Sequence, residues 1–172
     1  MLRSAERPDE KRKPMFKLPE SVLVVVHTTA LDVLLLERAT SADPLWQSVT
    51  GSREAADADL RATAVREVLE ETGLDIEQGQ KAGWRLKDWR LRNRYEIWPQ
   101  WRARYAPDVT HNVEHVFGLT VPARLEVQLD PAEHRAALWL PAAEAQQRCF
   151  SPTNRNAIAM LPRFVVRREA AS

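Results

Sequence analysis

The chain has 172 residues, of which 44% are hydrophobic and 28% charged, and its 25 basic and 24 acidic side chains leave a net charge of +1. This length suits one domain with its own core, and the near-neutral balance excludes a general attraction to nucleic acid or to an anionic membrane. Cys149 is the only cysteine, which excludes an intrachain disulfide and fits a reducing compartment. We therefore expect a cytoplasmic protein.

The N-terminal segment differs in composition from the rest of the chain. Residues 1 to 17 carry six Lys or Arg and three Asp or Glu, with prolines at 8 and 14. The apolar run at 22 to 26 is far shorter than the ~20 residues that a membrane helix needs. We expect a flexible extension over 1–18, a single domain over 19–172, and no membrane segment.

The first half of that domain predicts strands followed by a helix. Branched apolar residues at 21 to 28 and 33 to 39 indicate a buried hairpin, and 45 to 52 indicates a third strand that ends at a turn. Asp59 is suited to the N-cap of a helix, the run from Leu60 to Thr72 contains no proline or glycine, and Gly73 is suited to end it.

The second half predicts alternating strands and then helices. The basic, tryptophan-rich segment 84 to 105 predicts strands with one basic face, and further strands are predicted at 115 to 122 and 137 to 141. A helix is predicted from Pro141 through Cys149. A last helix is predicted to be capped by Ser151 and stopped by Pro162.

The predicted helix over 60 to 72 concentrates negative charge. Its 3.6-residue period places Glu67, Glu70 and Glu71 on one side, and we expect an apolar side nearly opposite, formed by Ala62, Val65, Val68 and Leu69, to pack on a sheet. Like charges at this spacing destabilise a helix unless a cation lies among them. Carboxylates suit Mg²⁺, or Mn²⁺ in its place, and Mg²⁺ suits phosphates, so the pattern favours phosphoanhydride hydrolysis. The alternative is a solvated charged helix face without a ligand.

The string from Gly51 through Arg66-Glu67, Glu70-Glu71 and Gly73-Leu74 resembles the signature of the Nudix hydrolases. REVLEETGL matches the second half of that signature completely. The first half is one residue longer than the pattern, and Asp57 or Asp59 stands in for the expected loop glutamate. The resemblance implies an α+β protein with the Nudix fold, a mixed β-sheet sandwiched between α-helices.

Three further stretches resemble one branch of that family, which acts on dihydroneopterin triphosphate in folate synthesis. They are LWQSVTGS at 45 to 52, RARYAPDVTHNVEH at 102 to 115 and SPTNRNAI at 151 to 158. The likeness implies Mg²⁺-dependent hydrolysis of 7,8-dihydroneopterin triphosphate to the monophosphate and pyrophosphate. The alternative substrates are nucleoside triphosphates or nucleoside diphosphate derivatives.

The resemblance also implies roles for individual residues. Its metal ligands fall on Glu67, Glu70, Glu71 and Glu114, and its catalytic residues on Glu70, Glu71, Glu114 and Arg66. Arg66 is expected to orient the glutamates by charge-assisted hydrogen bonds. Glu70, Glu71 and Glu114 all remain candidates for the general base.

The expected substrate-binding residues are Arg38, Trp46, Gly51, Arg104 and Asn154. Arg38 and Arg104 are expected to bind the triphosphate, with Arg102 and His111 as further nearby cations. Trp46 either stacks on the pterin ring or belongs to the core, and Asn154 either reads the ring edge or helps to start the last helix.

Two other classes of function compete with this interpretation. The segment 84 to 105 is also compatible with a protein that binds single-stranded nucleic acid by phosphate contacts and stacking. The irregular loop at 52 to 59 is compatible with a catalytically inactive Nudix-like regulator. Under the leading hypothesis we expect a monomer with a small-molecule substrate and without a nucleic-acid or membrane partner.

Overall fold

The computed structural model describes residues 16–165. The predicted flexible extension over 1–18 therefore lies outside the described residues, apart from residues 16 to 18, which are exposed and without regular structure. Within this range, none of the helices is long and apolar enough to cross a membrane.

One mixed sheet forms the centre of the molecule. The described residues contribute seven strands, β1 (Glu20–Thr28), β2 (Asp32–Arg38), β3 (Trp46–Gln47), β4 (Val49–Ser52), β5 (Arg85–Glu96), β6 (His111–Val121) and β7 (His134–Pro141). The order along the sheet is β3, β2, β1, β6, β5, with β4 paired to β1 and β7 paired to β2. β1 and β6 run parallel, whereas the other pairs are antiparallel.

Helices cover both faces of this sheet. They are α1 (Leu60–Thr72), α2 (Ile76–Gly79), α3 (Ala142–Arg148) and α4 (Pro152–Met160), with short 3-10 helices at Gln80–Ala82, Pro99–Arg104 and Leu161–Arg163. Ala64 and Val68 of α1 pack with Val22 and its neighbours on one face. Ala145 of α3 and Ile158 of α4 belong to a second core on the other face. The predicted sheet between helices is confirmed.

The ends of α1 follow the sequence prediction. Asp59 Oδ1 accepts a hydrogen bond from the Ala62 amide at 2.7 Å, which satisfies one of the amides that a helix start leaves without a partner. Gly73 adopts a left-handed φ of 70° and donates its amide to the Leu69 carbonyl at 2.9 Å. The helix that carries the glutamates is thus fixed at both ends.

The buried face of α1 differs from the prediction. Leu69 is 46% exposed, whereas Ala64 and Val68 are fully buried and Glu67 and Glu71 are buried beside them. Residues 64, 67, 68 and 71 lie on one side of a helix with 3.6 residues per turn, and position 69 turns about 100° away from 68. Glu67 and Glu71 therefore border the apolar contact with the sheet instead of lying opposite to it, whereas the Glu70 side chain is exposed.

The basic segment is also organised differently from the prediction. The strand β5 ends at Glu96, and a 3-10 helix begins at Pro99, which has no amide hydrogen to donate to a strand partner. A bulge between Asp88 and Leu91, where Arg90 has a φ of 58°, changes the pairing register with β6. Arg85 and Lys87 pair with Thr120 and Gly118, whereas Arg92 and Arg94 pair with His115 and Val113, so the basic residues lie on both faces of the sheet and do not form one basic face.

The predicted elements near the C-terminus are confirmed with changed ends. The strands predicted at 115–122 and 137–141 begin earlier, at His111 and His134. The last helix stops before Pro162, as expected, although the Ser151 hydroxyl lies 3.0 Å from the Thr153 hydroxyl and does not cap a backbone amide.

Candidate active site

The carboxylate of Glu67 lies against the backbone of Gly51 in β4. A Cβ atom at position 51 would overlap the Glu67 carboxyl group, so any other residue at this position would displace that side chain. Gly51 thus provides the space that Glu67 occupies, and its predicted contact with substrate stays a prediction.

Arg66 joins the glutamates of α1 to the loop before the helix. Its Nη1 atom donates to Glu67 Oε1 at 2.9 Å and to Glu70 Oε2 at 3.0 Å. Its Nη2 atom donates to the carbonyl of Ser52 at 2.9 Å. The guanidinium therefore fixes the orientation of two carboxylates relative to β4.

Asp57 also pairs with Arg66. It accepts from Arg66 Nε at 3.1 Å and from Nη2 at 2.9 Å, and also from the Thr63 hydroxyl and the Glu54 amide, each at 2.9 Å. The hydrogen bonds from Arg66 lower the pKa of Asp57 to about 2. The loop is thus held by Asp57 despite its additional residue, while Asp59 acts as the helix cap.

The two buried glutamates have raised pKa values. Burial, opposed by Arg66 and reinforced by the Glu71 charge, raises the pKa of Glu67 to about 7. Burial also raises the pKa of Glu71, which is 2% exposed. Glu70, by contrast, has a side chain that is 55% exposed. The site therefore combines two desolvated carboxylates with one that solvent reaches.

His134, at the start of β7, was not identified from the sequence. Its Nε2 atom lies 3.1 Å from Glu71 Oε2, but the two atoms are not aligned as a hydrogen bond. Glu133 lies beside them, and within residues 16–165 these three side chains form the group whose potential metal-donor atoms lie within 4.8 Å of one another. The adjacent Glu133 and His134 were a visible signal, but their approach to α1 depends on the tertiary fold.

The donor set fits a divalent cation. Glu71 Oε2 is buried and has no hydrogen-bond partner among residues 16–165, and Glu67 is buried with a raised pKa. A cation between these carboxylates would offset their desolvation and their mutual repulsion. The buried carboxylates of Glu67 and Glu71 and the group formed by Glu71, Glu133 and His134 thus fit a divalent cation.

Glu114 lies on a different face of the sheet from the α1 glutamates. It alternates along β6 with Phe117, which packs with α1, and shares a face with Val116 of the second core. It is 6% exposed and accepts a hydrogen bond from Asn93 Nδ2 at 3.1 Å, and its pKa is raised by burial. In the described chain, the carboxylate oxygens of the four predicted metal ligands thus do not all lie within 4.8 Å of one another.

A cavity of about 200 Å³ lies on the same face as Glu114, and we call it the aromatic cavity. It brings together Arg38 and Arg104, two of the predicted substrate-binding residues. The other lining residues are Lys17, Tyr95, Ile97, Trp98, Trp101, Tyr105 and Asn112. Arg102 is paired instead with Glu96 at 2.8 Å, and neither it nor His111 lines the cavity.

The side chains of Trp46 and Asn154 are buried and contact other parts of the fold. Trp46 is 9% exposed in the second core, with the Arg148 guanidinium 5.9 Å from its ring centroid, so the core alternative applies and not stacking on substrate. Asn154 is 2% exposed and its Oδ1 accepts from the Ser48 amide at 2.7 Å, which ties α4 to the segment between β3 and β4. This bond gives Asn154 a role in the fold, and its predicted contact with a ring edge stays a prediction.

Comparison with protein families decides the assignment. Residues 17–161, which include the glutamates, Arg66 and the aromatic cavity, match the family described as NUDIX domain. The chain belongs to the Nudix family.

Curated Nudix relatives are similar to this chain over most of its length. It is 38% identical over 144 residues to the dihydroneopterin triphosphate diphosphatase of Haemophilus influenzae, covering 83% of this chain and 87% of that protein. It is 40% identical over 145 residues to the Escherichia coli K12 enzyme of the same name, covering 84% and 92%. A solved structure of the E. coli dihydroneopterin triphosphate pyrophosphohydrolase has a TM-score of 0.73 at 38% identity, covering 84% of this chain and 95% of that one.

Proposed function

We propose that this Nudix hydrolase cleaves 7,8-dihydroneopterin triphosphate to the monophosphate and pyrophosphate, with Mg²⁺ as its cofactor and Mn²⁺ able to replace it. The observation that carries the proposal is the pair of buried glutamates, Glu67 and Glu71, held on α1 by Arg66 next to Gly51. The names of the relatives at 38% and 40% identity support the substrate.

Each carboxylate has a role in this proposal. Glu67 and Glu71 would hold the cation, which when bound neutralises phosphate charge and acidifies a coordinated water. Arg66 keeps the carboxylates of Glu67 and Glu70 in a fixed orientation, since one nitrogen donates to both. Glu70 is the exposed carboxylate, which makes it the most accessible acceptor for a water proton among the three candidates for the base.

Glu114 lies on β6 two residues after Asn112, which lines the aromatic cavity. In the sheet register it is opposite Ser21, which is opposite Ser52, the residue after Gly51. We therefore keep Glu114 as a fourth carboxylate of the site, either as a base or as a metal ligand that joins when substrate is bound.

The test is pyrophosphate release by single glutamine variants at these positions. Glu71→Gln and Glu67→Gln each remove a buried anionic ligand, so we expect losses of about 100-fold or more. Glu77→Gln, at an exposed position in α2, is the matched control and should keep full activity. Pyrophosphate release by Glu71→Gln at the control rate would refute the proposed role.

Nucleoside triphosphates remain the second candidate substrates. They carry the same phosphoanhydride chain and also have a flat heterocycle, which the exposed indoles of the aromatic cavity would accommodate. Relative turnover of the two kinds of substrate separates the candidates.

We also propose that the protein acts in the cytoplasm as a monomer, without a nucleic-acid or membrane partner. The single cysteine and the net charge of +1 support this setting. The division of the basic residues of β5 between two faces argues against a continuous nucleic-acid-binding stripe.

A further inference from the structure

Two tryptophans at the aromatic cavity are exposed and belong to neither core of the described part of the chain. Trp98 is 62% exposed and Trp101 is 50% exposed, with their ring centroids 6.3 Å apart and their planes at 42°. Solvated indoles in adjacent positions on a soluble protein indicate a surface that is covered by a ligand.

The backbone that carries these rings is well anchored. The Trp101 amide donates to the Trp98 carbonyl at 2.9 Å within the 3-10 helix. Arg102 donates to the Ile97 carbonyl at 3.2 Å and to Glu96 at 2.8 Å. The indoles thus project from a fixed turn, so that little backbone order has to be gained when a ligand binds.

Three cations lie around the same cavity. In the part of the chain that the structure describes, Lys17, Arg38 and Arg104 have no carboxylate oxygen within 4.0 Å. Basic groups without acidic partners around an aromatic wall fit a ligand that combines an anionic chain with a flat ring.

The contacts of these cations lead from the aromatic cavity towards the glutamates. Lys17 Nζ donates to Ser52 Oγ at 3.0 Å, and the Ser52 carbonyl accepts from Arg66. Arg38 reaches Gln47 Oε1 at 3.5 Å, and Gln47 Nε2 donates to Thr50 Oγ1 at 3.2 Å. Both paths end at residues next to Gly51, the residue against which the Glu67 carboxylate lies, so the cations of the cavity are connected to the backbone that borders the glutamates.

The size of the cavity limits which part of the ligand it can hold. Its volume of about 200 Å³ is below the range of roughly 300–1,000 Å³ that encloses a complete drug-sized ligand. It therefore suits the ring end of a substrate, while the phosphates lie outside it.

We propose that Trp98 and Trp101 form the stacking wall for the fused heterocycle of the substrate, and that Lys17, Arg38 and Arg104 bind the phosphate chain where it leaves the ring. This inference rests on the proposed function for the identity of the ring. It assigns recognition of the ring to Trp98 and Trp101, in the place of Trp46.

The first test compares KM and kcat of Trp98→Leu and Trp101→Leu with those of the wild type. Loss of a stacking face should raise KM for dihydroneopterin triphosphate by about tenfold or more, with kcat within twofold. Inorganic tripolyphosphate has no ring, so its inhibition constant should stay unchanged in both variants. Phe150→Leu replaces another exposed aromatic residue, 40% exposed and outside the cavity lining, and should change none of these values. An unchanged KM in both tryptophan variants would overturn the proposal, as would an equal loss of tripolyphosphate binding.

A second measurement keeps this result separate from the proposed function. Neopterin, which has no phosphate, is titrated against full-length protein without added metal, and tryptophan fluorescence is recorded. We expect quenching in the wild type and in Phe150→Leu, and about tenfold weaker binding in Trp98→Leu. Quenching without turnover of the triphosphate would contradict only the proposed reaction, whereas no neopterin binding to the wild type would overturn the stacking wall.

Discussion

At the scale of single residues, Glu67 links stability to metal binding. Burial places its pKa at about 7 in the folded protein, above the ordinary value of 4.5. A raised folded pKa gives stabilisation that is fully present below pH 4.5 and is lost as the pH rises through 7. The pKa shift corresponds to a change of about 3 kcal/mol at most in the free energy of unfolding, because the Glu67 side chain is only 11% exposed.

The first prediction is therefore a metal effect that depends on pH. Without metal, the melting temperature should fall between pH 5 and pH 8, because Glu67 must ionise in a buried position. Mg²⁺ favours the ionised carboxylate, so it should raise the melting temperature more at pH 8 than at pH 5. Thermal denaturation at both pH values with and without Mg²⁺ measures this, with Glu67→Gln as the comparison. Equal Mg²⁺ shifts at both pH values would contradict the assignment.

Asp57 provides a second prediction at this scale. Its two hydrogen bonds from Arg66 hold the loop before α1, and its pKa of about 2 means that this support is present above pH 3.8 and lost as the pH falls towards 2. Asp57→Asn should lower the free energy of unfolding by about 1.5–3 kcal/mol and reduce activity by roughly 10–100-fold. Urea unfolding and pyrophosphate release measure these effects.

The control for that variant is Asp108→Asn, because Asp108 is exposed and makes none of the ion pairs found among residues 16–165. If Asp57→Asn behaved like this control, the loop would not depend on Arg66 and its position in the site would need another explanation.

At the scale of elements, two glycines with left-handed backbones end helices. Gly73 ends the helix at a φ of 70°, and a Cβ there would lie 3.1 Å from the Gln128 Cβ. Gly83 has a similar φ of 88° after the 3-10 helix, but a Cβ there would meet no atom within 4 Å. Substitution at Gly83 would therefore introduce backbone strain alone, whereas substitution at Gly73 would also introduce a steric contact.

The third prediction compares alanine at these two positions. Each variant should lose about 1–2 kcal/mol from the left-handed backbone, and Gly73→Ala should lose more because Gln128 must also move. Urea unfolding of both variants measures the difference. If Gly83→Ala were the more damaging change, the end of α1 would not be the constrained position.

Sequence patterns predicted the local features of these elements better than their contacts. Asp59 and Gly73 mark the ends of α1 because capping depends on residues close in the chain. Leu69 was assigned to the wrong face because its solvent exposure depends on where the sheet meets the helix. The division of basic residues along β5 follows from simple alternation, because Arg85 and Lys87 are at odd positions and Arg92 and Arg94 at even ones, whereas the bulge at Arg90 had no signal in the sequence.

At the scale of the whole molecule, two cores hold the sheet between helices and determine which groups solvent can reach. Cys149 is 3% exposed in the second core, and burial raises its pKa to about 12. Only the thiolate reacts rapidly, so this thiol should be inert in the native state.

The fourth prediction concerns that thiol. Native protein at pH 8 should resist a thiol-directed reagent for as long as it stays folded, and one equivalent should react once urea unfolds it. Mass measurement of the labelled protein follows the reaction. Rapid labelling without denaturant would show that the second core opens readily.

Site residues that are close in the sequence could be predicted, whereas those that only the tertiary fold brings together could not. Arg66 and the glutamates of α1 are local in sequence, so their spacing was sufficient to identify them. His134 lies beside Glu71 from a strand 63 positions later, and Trp98 lines the same cavity as Arg38, so neither placement follows from spacing. Trp46 and Asn154 lie in segments that resemble the family, yet burial gives them structural positions.

The measurement that tests the central claim most directly is pyrophosphate release with Mg²⁺, comparing kcat/KM for dihydroneopterin triphosphate with the values for the common nucleoside triphosphates. The account predicts a clear preference for the pterin substrate, with dihydroneopterin monophosphate as the second product. Faster turnover of a nucleoside triphosphate would contradict the proposed substrate while keeping the glutamate chemistry, and no turnover of either kind would contradict the assignment of a hydrolytic site to Glu67 and Glu71.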